Sequence, residues 1–191
     1  STLFPYTTLF RSVDLILAEN PNTELKVLDI GTGSGAIAVS LKKSRPMWQV
    51  TASDLSADAL VLAKDNAKLN RVDISFVLAD VFENVSGCFD IIVSNPPYIS
   101  ENDKDEVGLN VLTSEPKMAL FADEDGLAIY RQILEDADKY LNPQGKLYFE
   151  IGYKQGEDLR KLLSLHFPDK HVRVLKDQFG QDRMVVMDDG N

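Results

Sequence analysis

The chain has 191 residues, which is the length of one ordinary domain with a sizeable hydrophobic core. Its formal net charge of −10 argues against broad contact with nucleic-acid phosphates, and no apolar run approaches the roughly 20 residues of a membrane-spanning helix. The single cysteine, Cys88, excludes an internal disulfide framework, and no Cys/His cluster indicates a metal site. We therefore expect a protein of a reducing cytoplasm whose partners are small molecules or proteins, with no membrane and no direct DNA binding.

The first segment, "STLFPYTTLFRS" at residues 1–12, differs from the rest of the chain. It has no initiator methionine, no basic region and no small-residue cleavage site, so it is not a secretion signal. It also resembles the translation of sequencing-adapter DNA. We interpret residues 1–12 as a non-native, poorly packed segment and residues 13–191 as one domain; a short native strand and turn is the alternative.

Amphipathic helices and apolar strands alternate after residue 12, which indicates a parallel sheet covered on both faces. The last two strands are joined by the short segment "DQFGQD" and predict an antiparallel hairpin at one edge. The predicted fold class is α/β, a doubly wound and mostly parallel seven-stranded sheet with a C-terminal antiparallel hairpin, whose ligands bind at the carboxyl ends of the strands. The predicted helices span residues 13–19, 36–44, 57–70, 127–141 and 155–165, and the predicted strands span 25–30, 48–54, 74–80, 88–94, 146–151, 171–176 and 183–187.

A long connection spans residues 99–126 between the fourth strand and the next helix. Loops of more than about 12–15 residues without secondary structure are uncommon in compact domains unless they are functional. We interpret this connection as a lid over a substrate. A disordered acidic insertion around "SENDKDE" is the alternative.

Three glycines lie in the turn between the first strand and the next helix, in "VLDIGTGSGAIAVSL". Glycines in such a turn allow tight backbone geometry and close approach of a ligand. The spacing is G-x-G-x-G and not the G-x-G-x-x-G of a dinucleotide site, which disfavours NAD without excluding it. The candidate cofactor-binding residues of this turn are Gly31, Thr32, Gly33, Ser34 and Gly35.

Two carboxylates end the second and third predicted strands. Asp54 is placed to accept both hydroxyls of a ribose, and Asp80 is suited to an exocyclic amine on a base. Val81 and Phe82 follow directly, with the Phe82 ring available to pack on the base. Each aspartate alone is explained equally well as a helix cap or turn residue. The ordered set of glycines and carboxylates on successive strand ends is what predicts a cofactor site.

The fourth predicted strand ends in "DIIVSNPPY", at residues 90–98. Proline has no backbone N–H and holds the preceding residue in an extended conformation, so this corner offers mainly hydrogen-bond acceptors. These are the Asn95 side-chain oxygen and nearby backbone carbonyls, and Tyr98 adds a flat apolar face. A rigid strand-ending turn is the structural alternative. The corner predicts a pocket for a flat ligand group that carries two donors, such as –NH2.

Several motifs together resemble the S-adenosylmethionine-dependent methyltransferases with a Rossmann-like fold, and specifically the HemK/PrmC-type protein-(glutamine) methyltransferases. The similarity runs from about residue 25 to the end of the chain. It rests on "DIGTGSGAIA", "SDLS", "LADVFE", "DIIVSNPPYI", "SEPKMALFADEDGLAIYRQIL", "YFEIGYKQGE" and "DQFGQDRMVVM".

The resemblance implies methyl transfer from S-adenosyl-L-methionine to the side-chain amide nitrogen of a protein glutamine. It points to the GGQ loop of peptide-chain release factors, with a ribosomal protein as the next candidate. Asn95, Pro96 and Tyr98 would act in catalysis, and Asn95, Pro96, Pro97 and Tyr98 would bind the substrate. Asn95 would also join the cofactor-binding set of Gly31, Thr32, Gly33, Ser34, Gly35, Asp54, Asp80, Val81 and Phe82.

Two departures from the family pattern qualify this interpretation. Members commonly carry an aromatic residue directly after the third-strand aspartate, where this chain has Val81. The family's N-terminal helical domain and its "PRPETE"-like segment are not found, so we expect a catalytic-domain fragment. Two alternatives stay open: an amino-methyltransferase for an exocyclic amine of a nucleic-acid base, and a non-catalytic cofactor-binding fragment.

Overall fold

The computed structural model describes residues 6–96, 99–100, 121–122 and 126–190, and the side chains of residues 12–96 and 126–190. Pro97, Tyr98 and most of the expected lid at 99–126 lie outside the described residues. The helices are α1 (Tyr6–Glu19), α2 (Ala36–Ser44), α3 (Ala57–Asn70), α4 (Ala128–Tyr140) and α5 (Gly156–His166). The strands are β1 (Lys26–Ile30), β2 (Gln49–Asp54), β3 (Ser75–Leu78), β4 (Phe89–Ser94), β5 (Ile99–Ser100), β6 (Phe121–Ala122), β7 (Leu141–Glu150), β8 (His171–Lys176) and β9 (Asp182–Asp188).

Seven strands form one sheet in the order β3-β2-β1-β4-β7-β9-β8. The pairs among the first five strands of this order are parallel, whereas β9 runs antiparallel to both β7 and β8. Strands β5 and β6 pair with each other in a separate two-stranded sheet. This confirms the predicted fold class, including the C-terminal hairpin.

Apolar side chains cover both faces of the sheet, as the near-continuous apolar strands require. Successive residues of β1 point to opposite faces: Val27 packs with side chains of α1 and α2, and Leu28 packs with side chains of α4 and α5. Within the described part of the chain, no helix is long and apolar enough to cross a membrane, and no group of His, Cys, Asp and Glu side chains could hold a metal ion.

The register of the parallel strands aligns their carboxyl ends. Ile30 of β1 pairs with Ser53 of β2 and with Ser94 of β4, and Ser94 in turn pairs with Phe149 of β7. The residues that follow this row are therefore next to one another at the edge of the sheet. We call them the edge row, which consists of Asp54, Gly31, Asn95 and Glu150.

Helix α1 begins earlier than the sequence pattern predicts. It starts at Tyr6 and crosses the domain boundary that we expected at residue 13. Ser12 is 1% exposed, and its Oγ donates a hydrogen bond to Glu150 Oε2 at 3.0 Å. The expectation of poor packing is therefore wrong for Ser12, because the helix continues over the end of β7. The non-native origin of residues 1–12 stays a prediction.

A charged cluster fixes the other end of α1 to the C-terminal hairpin. Arg173 of β8 contacts Glu19 of α1 at 2.9 Å and Asp188 of β9 at 2.6 Å. Tyr148 donates from its hydroxyl to Glu19 Oε2 at 3.0 Å and accepts from Asn20 Nδ2 at 3.0 Å. We call these residues the α1 clamp. Hydrogen bonding to Glu19 raises the pKa of Arg173, so its guanidinium is charged at every working pH.

Removal of the Arg173 guanidinium from the α1 clamp is expected to lower the stability of the protein measurably. Arg173→Met keeps much of the apolar stem but leaves the partly buried Glu19 and Asp188 carboxylates without the guanidinium that bridges them. We expect the free energy of unfolding to fall by about 1–3 kcal/mol, measured by urea denaturation. Arg160→Met is the matched control, because Arg160 pairs with Glu157 at 2.8 Å with both side chains exposed. The control is expected to show no measurable change, and equal losses in the two variants would contradict the prediction.

Candidate cofactor and acceptor site

The glycine turn between β1 and α2 adopts left-handed backbone geometry at all three glycines. An ideal Cβ placed on Gly31 or Gly33 would have no neighbour within 4 Å among the described residues, so this part of the structure leaves open space beside the backbone there. At Gly35 the same Cβ would lie 3.0 Å from Ala63 Cβ, so glycine allows the close approach of α2 and α3. Two of the glycines thus leave room for a ligand, and the third serves helix packing.

Asp54 at the end of β2 is bound directly to the glycine turn. Its Oδ2 accepts a hydrogen bond from the Gly33 backbone N–H, and its Oδ1 accepts one from the Ser56 backbone N–H, each at 2.8 Å. The cap of α3 is Ser56, whose Oγ accepts from the Ala59 backbone N–H at 3.2 Å. The cap explanation of Asp54 is therefore wrong, whereas the bond from the Ser56 N–H, two residues on, supports the alternative of a turn residue. Each carboxylate oxygen retains further acceptor capacity for hydroxyl groups.

Asp29 is a site residue that the sequence pattern did not reveal to us. It lies in β1 below the glycine turn, is 1% exposed, and accepts a hydrogen bond from Thr32 Oγ1 to Oδ2 at 2.6 Å. Within the described residues, its Oδ1 has no hydrogen-bond partner. Burial raises the pKa of the Asp29 carboxyl to about 7, although the Thr32 hydroxyl and the Ala38 backbone N–H favour the charged form. The sequence feature that could have identified Asp29 is an aspartate inside an otherwise apolar strand, in "VLDI".

Thr32 and Ser34 have different positions in the turn. Thr32 is buried, and its backbone N–H donates to the Ser53 carbonyl at 2.9 Å, so its side chain supports Asp29 from within the fold. Ser34 is exposed, and its carbonyl accepts from Asn66 Nδ2 at 2.9 Å. Of these two predicted residues, only Ser34 presents its side chain to the surface.

Three of the predicted cofactor-binding residues, Asp80, Val81 and Phe82, follow β3. Asp80 is exposed and open to a ligand, and Val81 has a positive φ of 53°, which is strained for a β-branched residue. Phe82 is 6% exposed, and its ring stacks on Tyr140 with 4.2 Å between the ring centroids. Tyr140 therefore covers one face of the Phe82 ring, and the packing of this ring on a base stays a prediction.

The acceptor corner follows β4, between β1 and β7 in the sheet. Ser94 Oγ donates to the Ile30 carbonyl at 2.7 Å and ties the end of β4 to β1. Asn95 is half-buried and Pro96 is buried. Pro97 and Tyr98 lie outside the described residues, so their predicted substrate contacts stay predictions. The structure thus brings Asn95 next to the glycine turn, at the carboxyl edge where ligands of this fold class bind.

Glu150 is a second residue that we did not predict for the site. It belongs to the edge row beside Asn95 and is 3% exposed. Burial raises the pKa of its carboxyl, whereas the Ser12 hydroxyl and the charge of Arg183 lower it. In the sequence, Glu150 ends an apolar strand in "YFEIG". A carboxylate within an apolar strand could therefore have identified Glu150, as it could have identified Asp29.

The family model and two known proteins that resemble this chain are all methyltransferases. The family model "Methyltransferase small domain" matches residues 4–123. The chain is 63% identical over 178 residues to "Release factor glutamine methyltransferase" of Streptococcus pneumoniae, which covers 93% of this chain and 64% of that protein. It is 45% identical over 186 residues to the protein of the same name from Enterococcus faecalis, covering 97% and 67%. The chain therefore spans about two thirds of the length of these relatives.

A solved structure shares the fold at low sequence identity. The ribosomal protein L11 methylase of Lactobacillus delbrueckii subsp. bulgaricus superposes with a TM-score of 0.68 and 23% identity, over 96% of this chain and 79% of that chain. The family model and the two relatives carry the assignment, and the fold agrees with it. The chain belongs to the methyltransferase small-domain family and, within it, to the HemK/PrmC-type release factor glutamine methyltransferases.

Proposed function

We propose that the protein transfers a methyl group from S-adenosyl-L-methionine to the side-chain amide nitrogen of a protein glutamine, in the GGQ loop of a peptide-chain release factor. The observation that carries this proposal is the edge row, in which Asn95 lies beside the glycine turn in a chain 63% identical to a release factor glutamine methyltransferase. The expected compartment remains a reducing cytoplasm, and the expected partner is the release factor.

The residues around the glycine turn fit the proposed cofactor. Open space borders Gly31 and Gly33, Asp54 has acceptor capacity for ribose hydroxyls, and Asp80 is exposed for the base. The Asp29 carboxyl is buried, and no cation is bonded to it among the described side chains, so a cationic ligand would favour its ionised form. When bound, the cofactor supplies a methyl group on a positively charged sulfur. The chain offers negative charge and acceptors where such a ligand would lie.

Asn95 and Pro96 would hold and orient the glutamine amide. A neutral amide nitrogen is a poor nucleophile, because its lone pair is delocalised into the carbonyl. Hydrogen bonds from its two N–H groups to the Asn95 side-chain oxygen and the Pro96 carbonyl would favour the pyramidal nitrogen that bears positive charge in the transition state. Tyr98 would stack on the flat amide. These groups position the nitrogen, and its proton leaves to water after the transfer.

The direct test is a labelled-methyl transfer assay with a release factor and with its Gln→Ala variant in the GGQ loop. The unmodified release factor is expected to be methylated, and its Gln→Ala variant is not.

Asn95→Ala is expected to lower turnover by about 100- to 1,000-fold with little change in cofactor affinity, since it removes a contact that strengthens in the transition state. Calorimetry with S-adenosylmethionine checks the affinity. Equal losses of turnover and affinity would assign Asn95 to cofactor binding or to the fold, and not to the transition state.

Substitution of Asp29 is expected to have opposite effects on the stability of the cofactor-free protein and on its affinity for the cofactor. Because its pKa is raised from 3.8 to about 7, the folded protein retains a proton that the unfolded chain has lost between these values. The contribution of Asp29 to the free energy of unfolding therefore falls as pH rises from about 4 to 7, by up to about 4 kcal/mol, and is constant above. Asp29→Asn removes this dependence, so it should stabilise the cofactor-free protein at pH 8 relative to the parent.

The same substitution is expected to weaken cofactor binding. The parent should bind S-adenosylmethionine more tightly as pH rises through 7, because the ionised Asp29 attracts the cationic ligand, and Asp29→Asn should lack that increase. Comparison of the two proteins cancels the titration of the ligand itself. Denaturation curves and calorimetry at pH 6 and pH 8 measure both quantities. A variant that is less stable than the parent at pH 8, or that binds with the parent's pH dependence, would refute this role of Asp29.

A further inference from the structure

Glu150 lies on the far side of the acceptor corner from the glycine turn. The strand order β1-β4-β7 places Asn95 between Gly31 and Glu150 in the edge row. Neighbouring strands are about 4.8 Å apart, so one strand spacing separates Asn95 from each of its neighbours. Val93 and Tyr148, which precede Asn95 and Glu150 by two residues, pack in the same core cluster. Asn95 and Glu150 therefore extend toward the same face of the sheet, because side chains two residues apart share a face.

The described surroundings of Glu150 do not neutralise its charge. Its carboxylate accepts a hydrogen bond from the neutral Ser12 hydroxyl, and the Tyr130 hydroxyl donates to the Glu150 main-chain carbonyl. The charge of Arg183 favours the ionised form, but its guanidinium pairs with Asp177 at 3.2 Å. No ion pair to Glu150 is found among the described side chains. A buried carboxylate without a bonded cation is costly for the fold, which suggests a functional reason for it.

We propose that Glu150 is a charge-stabilising residue of the methyl transfer, whose carboxylate favours the movement of positive charge from the cofactor sulfur toward the acceptor nitrogen. This inference rests on the proposed function. During transfer the nitrogen forms a bond to the methyl carbon, the carbon–sulfur bond breaks with its electron pair on sulfur, and the nitrogen then loses its proton to water. Positive charge thus moves from the β1 side of the edge row toward the β7 side.

The effect depends on a difference in distance. A carboxylate on β7 lies nearer to a group held at Asn95 than to a sulfur held over the glycine turn of β1. Its attraction therefore grows as the charge moves, and only interactions that strengthen in the transition state accelerate the chemical step. In a site from which water is excluded, a fixed charge acts more strongly than it does in water.

The first test measures binding and needs no turnover. Sinefungin carries an ammonium group in place of the methyl-bearing sulfonium, so its positive charge projects toward the acceptor, whereas S-adenosylhomocysteine has a neutral sulfur. Calorimetry with both ligands compares the parent with Glu150→Gln, which retains the shape and an acceptor for Ser12. We expect sinefungin to bind about three- to tenfold more weakly to the variant, and S-adenosylhomocysteine to bind within about twofold of the parent.

Two further variants test the role of charge. Glu157→Gln is the matched control on α5, where the carboxylate pairs with Arg160 at the surface, and it should leave both affinities unchanged. Glu150→Asp keeps the charge and should retain most of the preference for sinefungin; if Glu150→Gln does not fold, Glu150→Met removes the charge in its place and is expected to give the same result as Glu150→Gln. Equal weakening of both ligands, or no change in their ratio in Glu150→Gln, would overturn the proposal. So would a complete loss of the preference in a folded Glu150→Asp.

Turnover separates this inference from the proposed function. With saturating release factor and cofactor, kcat of Glu150→Gln should fall by about tenfold or more, with the KM for cofactor little changed. If the parent methylates no glutamine, the proposed function fails, while the ratio of the two affinities still tests Glu150. If the parent is active and Glu150→Gln retains both its kcat and its ligand ratio, the inference about Glu150 alone is wrong.

Discussion

The register of four parallel strands is the constraint on which the rest of the site depends. Backbone hydrogen bonds hold Ser53, Ile30, Ser94 and Phe149 in one row, and each following residue therefore reaches the same edge of the sheet. A slip of one residue in any pair would turn the side chain to the other face, and burial on both faces opposes such a slip. The hydrophobic core thus sets the positions of Asp54, Gly31, Asn95 and Glu150 without any contact of its own with a ligand.

The site places two carboxyl groups where the fold is least able to solvate their charged form. Asp29 and Glu150 are almost fully buried, and burial raises the pKa of both carboxyls. Such groups destabilise a cofactor-free protein in their charged form, which fits the cationic ligand that we propose for the site. Asp54 is different, since two backbone N–H groups already support its carboxylate and orient it beside the turn. The site therefore combines one carboxylate held in place by the backbone with two that have no bonded cation among the described residues.

Helix α1 connects two ends of the molecule that are far apart in the sequence. Its last residue, Glu19, is held by Arg173 of the C-terminal hairpin, and Ser12 lies over Glu150 at the edge row. The α1 clamp therefore keeps the helix against β7, and the helix in turn buries the Glu150 carboxylate. Stability at one edge of the sheet and the electrostatic environment of the acceptor corner are consequently linked through a single element.

The amino-acid sequence alone was enough to predict the fold class, the helices α2 and α3 to the residue, the glycine turn, and the positions of Asp54 and Asn95 at the ends of two strands of the sheet. These follow from local rules of hydrophobic periodicity and turn chemistry, which act within a few residues. Four features became visible only in the folded chain: Phe82 stacks on Tyr140, Ser56 caps α3, α1 begins at Tyr6, and Asp29 and Glu150 are buried near the edge row. Local patterns do not encode these features, because burial and pairing depend on strand neighbours and packed helices that are distant in the sequence.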